Sequence, residues 1–502
     1  MREKQGSFVQ KILLKYIINL TIFSCFEHIR TLKEYIVNMR EIKMKQKKNY
    51  ILVFVVGFLI LSVAVLYIFF SRARSEEMNV SQVEGIVISV ANEEVKVQDK
   101  KGVIYTVAPF DNDIIVGSKL AVEYTGLLNE DKYIDVSQVV DYKTTDLKVD
   151  ENGIPVDWLD NGIFHNYYIL ANNKLKGMTL DEKIAQLLLV RYPDNNQLEA
   201  LKKFQFGGYL FFEKDFRNKT AQEVKKMISQ AQQTAKIPLL TAVDEEGGKV
   251  VRVSSNPNLA SHRFLSPQEL YRNGGFEKIK ADTIEKSNLL KNLGLNLNLA
   301  PVVDVSTSSS DYMYDRTLGE NSELTSVFAK TVIAASKGTD VSYTLKHFPG
   351  YGNNADTHLS ETQDERSYDD IKKNDLPPFE SGIQAGAEAI LVSHNIVKAI
   401  DSKNAASLSP NVHNLLRNEL GFTGIIITDD IAMKAVSDIP NVTVEAILAG
   451  NDLIITTDYE KSFSDIKQAL KNNIIDESII DKLAFRVIAW KYYKGLMFEN
   501  MK

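Results

Sequence analysis

One stretch of this chain combines residue types that can exchange protons near neutral pH. Lys346 and His347 are adjacent at the end of an apolar run, and the glycine-rich loop that follows carries Asp356 and His358. A carboxylate beside an imidazole orients the ring and stabilises its charged form, which gives a proton donor and acceptor. The alternative is a loop in which the aspartate only caps a turn beside an exposed histidine. The motif alone leaves both interpretations open.

A second stretch ends in two neighbouring carboxylates, Asp429 and Asp430, after an apolar run that begins at Gly424. Side chains alternate along a strand, so the two carboxylates point to opposite faces, and only one shares the face of Ile425 and Ile427. A carboxylate placed in this way serves as a nucleophile or as a metal ligand. The spacing does not decide which of the two carboxylates has this role.

The elements that must position these residues form a repeated pattern from Met178 onward. Short apolar strands alternate with amphipathic helical stretches, which is typical of βα units with a parallel sheet. Eight strands over this length predict an α/β fold with a closed (β/α)8 barrel of the TIM type. The predicted strands cover residues 187–192, 207–212, 239–246, 295–304, 341–348, 389–394, 424–430 and 453–457.

The reactive side chains fall at the C-terminal ends of the predicted strands. Besides the residues above, they include Asp244, Glu246, Asp304 and His394. The loops that follow the strands of a barrel converge on one mouth, where barrel enzymes have their active sites. The sequence therefore predicts one site assembled from several strands. For His394, a place in the site wall and a purely structural role stay equally open.

The N-terminal part contains an uncharged apolar run that begins at Tyr50 and ends at Phe70. As a helix it would cross the roughly 30 Å of hydrocarbon in a bilayer. The excess of cations before this run predicts a single-pass membrane protein whose barrel lies outside the cytoplasm. A cleaved signal peptide is the alternative, although the run exceeds the usual apolar region of about 7–15 residues.

The segment between the apolar run and the barrel alternates polar and apolar side chains over residues 79–143. This alternation predicts a small all-β module that acts as a spacer or contacts the cell wall. Residues 144–175 are predicted to be a polar linker. The chain is thus divided into a cytoplasmic segment (1–49, or shorter with a start at Met39 or Met44), a transmembrane helix (50–70), the β module, the linker and the barrel (176–502).

The composition excludes some classes of function. A formal net charge of −6 gives no basic surface for nucleic acid. The one cysteine, Cys25, excludes an internal disulfide framework and a zinc site built from cysteines.

Six motifs in sequence order resemble glycoside hydrolase family 3, and specifically its single-domain β-N-acetylglucosaminidases. The resemblance covers residues 176–495. The motifs are Met-Thr-Leu-Asp-Glu-Lys-Ile-Ala-Gln-Leu from Met178, Val-Asp-Glu-Glu-Gly-Gly-Lys-Val-Val-Arg from Val243, Leu-Ala-Pro-Val-Val-Asp from Leu299, Lys-His-Phe-Pro-Gly from Lys346, Asp-Thr-His from Asp356 and Thr-Asp-Asp-Ile-Ala-Met from Thr428.

The resemblance implies a role for each matching residue. Asp429 is the nucleophile, and His358 is the general acid/base with the assistance of Asp356. No metal and no cofactor are required. The residues that the resemblance assigns to binding of sugar hydroxyls are Asp244, Arg252, Arg316, Lys346 and His347.

Two positions depart from the family pattern. Tyr351 stands where many members have histidine, and Lys249 stands where arginine is common. A tyrosine can hydrogen-bond or stack but is no base near neutral pH. Since neither position belongs to the implied nucleophile or acid/base pair, we expect altered substrate contacts and retained activity.

The resemblance implies a retaining exo-β-N-acetylglucosaminidase that removes terminal β-linked GlcNAc from cell-wall-type glycans or muropeptides. The family's β-glucosidases usually carry a second domain that brings the acid/base residue, and the helical segment after the last predicted strand leaves no room for one. A β-glucosidase or glycoside phosphorylase of the same family remains an alternative. A third interpretation is an inactive glycan-binding barrel.

Overall fold

In a computed structural model of the protein, the described residues are 80–91, 94–99, 103–108, 119–126, 128, 132–145, 150, 152–352, 354, 357 and 362–498. The predicted cytoplasmic segment and the predicted transmembrane helix lie outside them, and so do Asp356 and His358.

The first strands of the described residues form a six-stranded sheet. They are β1 (Val80–Ala91), β2 (Glu94–Gln98), β3 (Ile104–Ala108), β4 (Lys119–Thr125), β5 (Tyr133–Asp135) and β6 (Val139–Thr145). The order in the sheet is β5-β3-β2-β1-β4-β6. Along β2 the buried residues are Val95 and Val97, as expected for a strand with one covered face. β3 and β5 pair in parallel, which requires a crossover connection, and the chain between them includes β4. The domain limits for this region stay a prediction.

Ten further strands follow in the described part of the chain, and eight of them form the barrel. They are β7 (Leu188–Arg191), β8 (Gly208–Phe211), β9 (Leu240–Val243), β10 (Leu297–Asn298), β11 (Ser342–Phe348), β12 (Gln363–Asp364), β13 (Ala389–Val392), β14 (Ile396–Val397), β15 (Ile425–Thr428) and β16 (Ile454–Thr456). β12 and β14 pair with each other, and the barrel order is β15-β13-β11-β10-β9-β8-β7-β16.

The barrel is nearly closed, and its ladder pairs are parallel. A parallel bridge between Ile427 and Leu453 brings the two ends of the strand order together. Every residue of β8, β9, β13 and β15 is buried, which explains their continuous apolar sequences. Each of the eight strands lies within the range predicted for it, so the prediction of a TIM-type barrel is confirmed.

The helices follow local start and stop signals. Thr179, Thr220 and Ser266 each form a capping box with a glutamate three residues later, and Gly294 ends a helix in the left-handed conformation. The α-helices of the described residues are α1 (Tyr168–Lys176), α2 (Leu180–Gln186), α3 (Gln197–Phe204), α4 (Glu213–Phe216), α5 (Ala221–Thr234), α6 (Pro267–Leu293, with non-helical backbone at Gly274 and Gly275), α7 (Ser322–Ser336), α8 (Tyr368–Asn374), α9 (Leu376–Gln384), α10 (Pro410–Asn414), α11 (Val442–Ala449), α12 (Tyr459–Lys471) and α13 (Glu477–Tyr493).

The second half of the predicted linker packs into the core. Trp158 and Tyr168 both contact the ring of Phe485 on α13, with ring centroids 5.3 and 5.0 Å apart. Phe164 contacts Tyr493 at 5.3 Å. The polar residues between these aromatic side chains give the segment the composition of a linker, while the aromatic side chains themselves are buried in the barrel core.

The predicted membrane localisation is contradicted within the described residues, because none of their helices is long and apolar enough to cross a membrane. A spanning helix needs about 20 consecutive apolar residues. The longest helix of this part of the chain, α6, has 27 residues but includes charged side chains such as Glu269 and Lys286. Residues 50–70, the predicted span, lie outside the described part.

Candidate active site

A buried cluster of two cations and two carboxylates lies at the C-terminal ends of β9 and β11. Lys346 Nζ is 2.7 Å from Asp244 Oδ1 and 2.7 Å from Glu246 Oε1. The guanidinium of Arg316 donates two hydrogen bonds to the Glu246 carboxylate, from Nη2 to Oε1 at 2.7 Å and from Nε to Oε2 at 3.0 Å. Lys346 is 3% exposed and Glu246 is 5% exposed. Glu246 therefore holds both cations in fixed positions.

The charges in this cluster stabilise one another. Burial favours the neutral form of Glu246, but the charges of Arg316 and Lys346 outweigh it and hold the pKa of this carboxyl well below its usual range. Burial likewise opposes the charge on Lys346, yet Asp244 and Glu246 raise the pKa of the ammonium above its ordinary value. Both side chains are therefore charged at neutral pH.

The imidazole of His347 lies between the Asp304 carboxylate and the Arg316 guanidinium. Its Nδ1 lies 2.7 Å from Oδ2 of Asp304, a carboxylate that is 1% exposed. With Nδ1 donating to this carboxylate, Nε2 faces the Arg316 guanidinium, whose Nη2 is 3.5 Å away. The other oxygen of Asp304 accepts the backbone N–H of Tyr351 at 2.7 Å. One buried carboxylate thus fixes the imidazole and the start of the loop that follows β11.

Arg252 is placed by the tight turn that follows β9. The buried carboxylate of Glu245 accepts the backbone N–H of Arg252 at 2.8 Å and that of Val253 at 2.7 Å. Ser254 donates to the same carboxylate from its backbone N–H at 3.2 Å and from its hydroxyl at 2.5 Å. The Arg252 guanidinium lies 3.8 Å from Asp244 Oδ2. Arg252 and Lys346 therefore approach Asp244 together.

The Asp430 carboxylate accepts hydrogen bonds from the segments that follow β15 and β16. It accepts the hydroxyl of Thr457 at 3.2 Å and the backbone N–H of Ala432 at 3.0 Å. Burial raises the pKa of the Asp430 carboxyl. This carboxylate is therefore used for loop structure.

Asp429 instead lies within the field of the site's cations. Burial opposes ionisation, but electrostatic interactions with His394, His347 and Lys346 outweigh it and lower the pKa of the Asp429 carboxyl. One of its oxygens also accepts the backbone N–H of Asp430 at 2.8 Å. Asp429 is thus an ionised carboxylate at the barrel mouth.

His394 has both ring nitrogens engaged. Its Nε2 is 3.0 Å from the carbonyl oxygen of Asp430, and its Nδ1 is 2.7 Å from the hydroxyl of Ser407. A carbonyl only accepts, so Nε2 carries a proton. The ring supports the backbone next to Asp429 from within the core, where it is 0% exposed.

The structure brings together most of the residues implied by the sequence. They are Asp244, Arg252, Arg316, Lys346, His347 and Asp429. Asp356 and His358 lie outside the described residues, so their place in the site stays a prediction. The sequence assigns no site role to Glu245, Glu246 or Asp304, although Glu246 and Asp304 are among the reactive residues at the predicted strand ends. For Tyr351 it predicts altered substrate contacts. Within the described part of the chain, no group of three or more His, Cys, Asp or Glu residues is arranged to hold a metal ion.

Comparison with known proteins decides the family. A family model described as the glycosyl hydrolase family 3 N terminal domain matches residues 179–490. The chain belongs to glycoside hydrolase family 3. The predicted family and the predicted enzyme class, a glycoside hydrolase, are confirmed.

Similar family 3 proteins include two β-hexosaminidases. That of Nitrosomonas eutropha is 28% identical over 286 residues, covering 53% of this chain and 77% of the relative. That of Xanthomonas campestris is 30% identical over 237 residues, covering 46% of this chain and 69% of the relative.

Two solved structures of the family share the fold. A family 3 β-N-acetylglucosaminidase from a Paenibacillus species matches with a TM-score of 0.60 and 26% identity, over 65% of this chain and 66% of that chain. A family 3 glycosyl hydrolase from Mycobacterium smegmatis matches with a TM-score of 0.57 and 26% identity, over 63% of this chain and 98% of that chain.

Proposed function

We propose that this family 3 chain is a retaining exo-β-N-acetylglucosaminidase that hydrolyses terminal β-linked GlcNAc. The observation that carries the proposal is Asp429, an ionised carboxylate at the barrel mouth beside a fixed set of sugar-binding cations and acids. The names of its relatives, β-hexosaminidase and β-N-acetylglucosaminidase, support the choice of sugar.

In the proposed first step, Asp429 attacks the anomeric carbon and the bond to the leaving-group oxygen breaks. His358, oriented by Asp356, donates a proton to that oxygen, and a covalent glycosyl-enzyme intermediate forms. A nucleophile must be ionised, and the lowered pKa of Asp429 meets this requirement at neutral pH. His358 then takes a proton from water, which attacks the same carbon and releases the sugar with its configuration retained.

The cluster around Glu246 supplies the proposed sugar contacts. Asp244 accepts hydrogen bonds from sugar hydroxyls, and Lys346 and Arg252 donate to their oxygens. Arg316 and His347 form the neighbouring wall. Because these polar groups are held by one another before the sugar arrives, little reorganisation is needed on binding. The proposed natural substrates are glycans or muropeptides that end in β-GlcNAc.

Release of chromophore from β-GlcNAc and β-glucose glycosides tests the proposal on the purified full chain. We expect GlcNAc release by the wild type and a loss of at least about 1000-fold in Asp429→Ala, with His358→Ala also impaired. An unchanged circular dichroism spectrum shows that each variant is folded. Wild-type rates in Asp429→Ala would contradict the assignment of the nucleophile.

The same assay separates the alternatives. Release of glucose in place of GlcNAc would keep the nucleophile and change the substrate. Sugar phosphate formed only when inorganic phosphate is present would indicate a phosphorylase. We expect free GlcNAc with or without phosphate, and an unchanged rate in the presence of a chelator.

A further inference from the structure

Tyr351 contacts the loop of the proposed acid/base pair through its hydroxyl group. This oxygen accepts the backbone N–H of Thr357 at 2.9 Å and lies 2.9 Å from the Thr357 hydroxyl. The two residues are buried, at 3% and 1% exposure. Two hydrogen bonds between the same two buried residues fix the distance and the orientation of Thr357 relative to the tyrosine ring.

Tyr351 is itself fixed to the sugar-binding wall. Its backbone N–H donates to Asp304, the same carboxylate that holds His347. Its ring packs edge-on against the His347 imidazole, with ring centroids 5.7 Å apart, and lies tilted against the Tyr312 ring at 5.9 Å. Its carbonyl accepts the side-chain amide of Asn354 at 2.8 Å. The hydroxyl therefore reaches Thr357 from a ring that cannot easily move.

Thr357 is the residue between Asp356 and His358, and consecutive Cα atoms are about 3.8 Å apart. Its own carbonyl accepts the backbone N–H of Ala435 at 3.2 Å. Thr357 is thus hydrogen-bonded to Tyr351 on one side and to Ala435 on the other. Because its backbone is held in this way, the positions at which the chain enters and leaves this residue are restricted. Acid/base catalysis depends on placing the proton donor within hydrogen-bond reach of the leaving oxygen.

We propose that Tyr351 is a positioning residue for the acid/base pair, acting through its hydroxyl on Thr357. The proposal rests on the proposed function, in which His358 is the proton donor. It also gives a role to a position where this chain departs from the histidine that many family members carry. The tyrosine is not a substitute base at this position: it is a structural link between the sugar-binding wall and the acid/base loop.

A general acid matters most when the leaving group is a strong base, which separates this role from a general loss of packing. We therefore compare GlcNAc glycosides of phenol, a basic leaving group, and of 2,4-dinitrophenol, a weakly basic one. Tyr351→Phe should lower kcat/KM for the phenyl glycoside roughly 10- to 100-fold, a part of the 10²–10⁴-fold that a general acid supplies. The dinitrophenyl glycoside should change less than about 3-fold, because it leaves without protonation. KM for either substrate should stay near the wild-type value.

Tyr343→Phe is the matched control. Tyr343 lies on β11, is 3% exposed and has a buried hydroxyl that bonds Ser287 at 3.1 Å, outside the site. This variant loses a buried tyrosine hydroxyl at a position outside the site, so it reproduces any general loss of stability. It should show the wild-type ratio of the two substrates.

Thr357→Val removes one of the two hydrogen bonds from the other side and preserves the shape of the side chain. It should lower kcat/KM for the phenyl glycoside by a smaller factor with the same dependence on leaving group. If Tyr351→Phe does not fold, Thr357→Val still tests whether the hydrogen bonds between Tyr351 and Thr357 matter for acid catalysis.

His358→Ala distinguishes a failure of the proposed acid/base assignment from a failure of the proposed role of Tyr351. If it loses no more activity on the phenyl than on the dinitrophenyl glycoside, the proposed acid/base assignment fails. If His358→Ala shows the expected dependence and folded Tyr351→Phe is unchanged, or loses both substrates equally, the role of Tyr351 is overturned and the proposed function stands.

Discussion

At the scale of single residues, Glu246 is the carboxylate on which the arrangement of charge in the site depends. It is almost fully buried and forms ion pairs with both Arg316 and Lys346. The orientation of both cations is therefore set before a sugar binds. Fixed, correctly oriented charges cost no reorganisation during the reaction. We infer that Glu246 orients the groups that are proposed to contact the sugar.

Glu246→Gln tests this role, because it preserves shape and removes one negative charge. We expect KM for a GlcNAc glycoside to rise roughly 10- to 100-fold, since breaking a buried ion pair typically costs about 3–5 kcal/mol and the retained amide offsets part of it. The melting temperature should fall as well. Glu277→Gln, at an exposed position of α6, is the control and should change neither quantity. An unchanged KM in Glu246→Gln would show that the cations hold their positions without it.

At the scale of elements, strand β11 carries Lys346 and His347, while the loops after β9 and β10 position Arg252 and Arg316. The turn after β9 shows how. The carboxylate of Glu245 accepts hydrogen bonds from three backbone N–H groups and one hydroxyl of residues 252–254. A turn closed in this way presents Arg252 towards Asp244.

Glu245→Gln should loosen this turn, because an amide has one acceptor oxygen and its NH2 group would face backbone donors. We expect KM for a GlcNAc glycoside to rise about 10-fold with a smaller change in kcat, since hydrogen bonds to a charged acceptor contribute about 1.5–3 kcal/mol each. Ser254→Ala, which removes one of the four donors, should have a weaker effect of the same kind. Equal kinetics for Glu245→Gln and the wild type would mean that other contacts hold Arg252.

At the scale of the whole barrel, one buried ammonium group works against stability. Lys491 on α13 is 0% exposed, and its Nζ donates to Gln186 Oε1 at 2.6 Å. Burial lowers the pKa of Lys491 to about 7. An unfolded lysine has a pKa of about 10.4, and each unit of difference corresponds to about 1.36 kcal/mol.

The sign of the pH effect follows from proton binding. Between about pH 7 and pH 10.4 the unfolded chain holds a proton on Lys491 that the folded chain lacks, so raising the pH stabilises the wild type. Below about pH 7 both states are charged and the penalty of burying the charge is at its largest. Lys491→Met removes the penalty at every pH and leaves Gln186 without this donor.

We therefore expect Lys491→Met to melt at a higher temperature than the wild type at pH 6.5, and the difference to shrink or reverse by pH 10. Thermal unfolding at both pH values measures it. Lys226→Met, at an exposed position of α5, controls for the loss of a lysine. The interpretation fails if the difference between Lys491→Met and the wild type is the same at both pH values.

Much of the fold could be predicted from the sequence because strand and helix signals are local. The continuous runs of β13 and β15 are apolar since both faces of those strands are buried, and this pattern is visible without any knowledge of the partners. The strand ends then mark the mouth of a barrel. Asp244, Lys346 and Asp429 could be assigned to one site on this basis.

The pairing of the site residues was decided only by the tertiary structure. Glu246 and Arg316 are 70 residues apart in the sequence, and Lys346 and Asp244 are 102 apart, so no local pattern links them. The same holds for Trp158, which lies in a stretch predicted to be a linker and packs on the distant helix α13.

The assignment of Asp429 in preference to Asp430 depends partly on the sequence and partly on the tertiary structure. Alternation along β15 determined that the two carboxylates face opposite ways, because that is a property of the strand alone. The pKa of Asp429 is lowered by His394 and His347, which other strands bring close, whereas burial raises that of Asp430. The sequence by itself determined the barrel and the residue types at its mouth, and the folded chain decided their partners and charges, because electrostatic interactions depend on distance in space and not on distance along the chain.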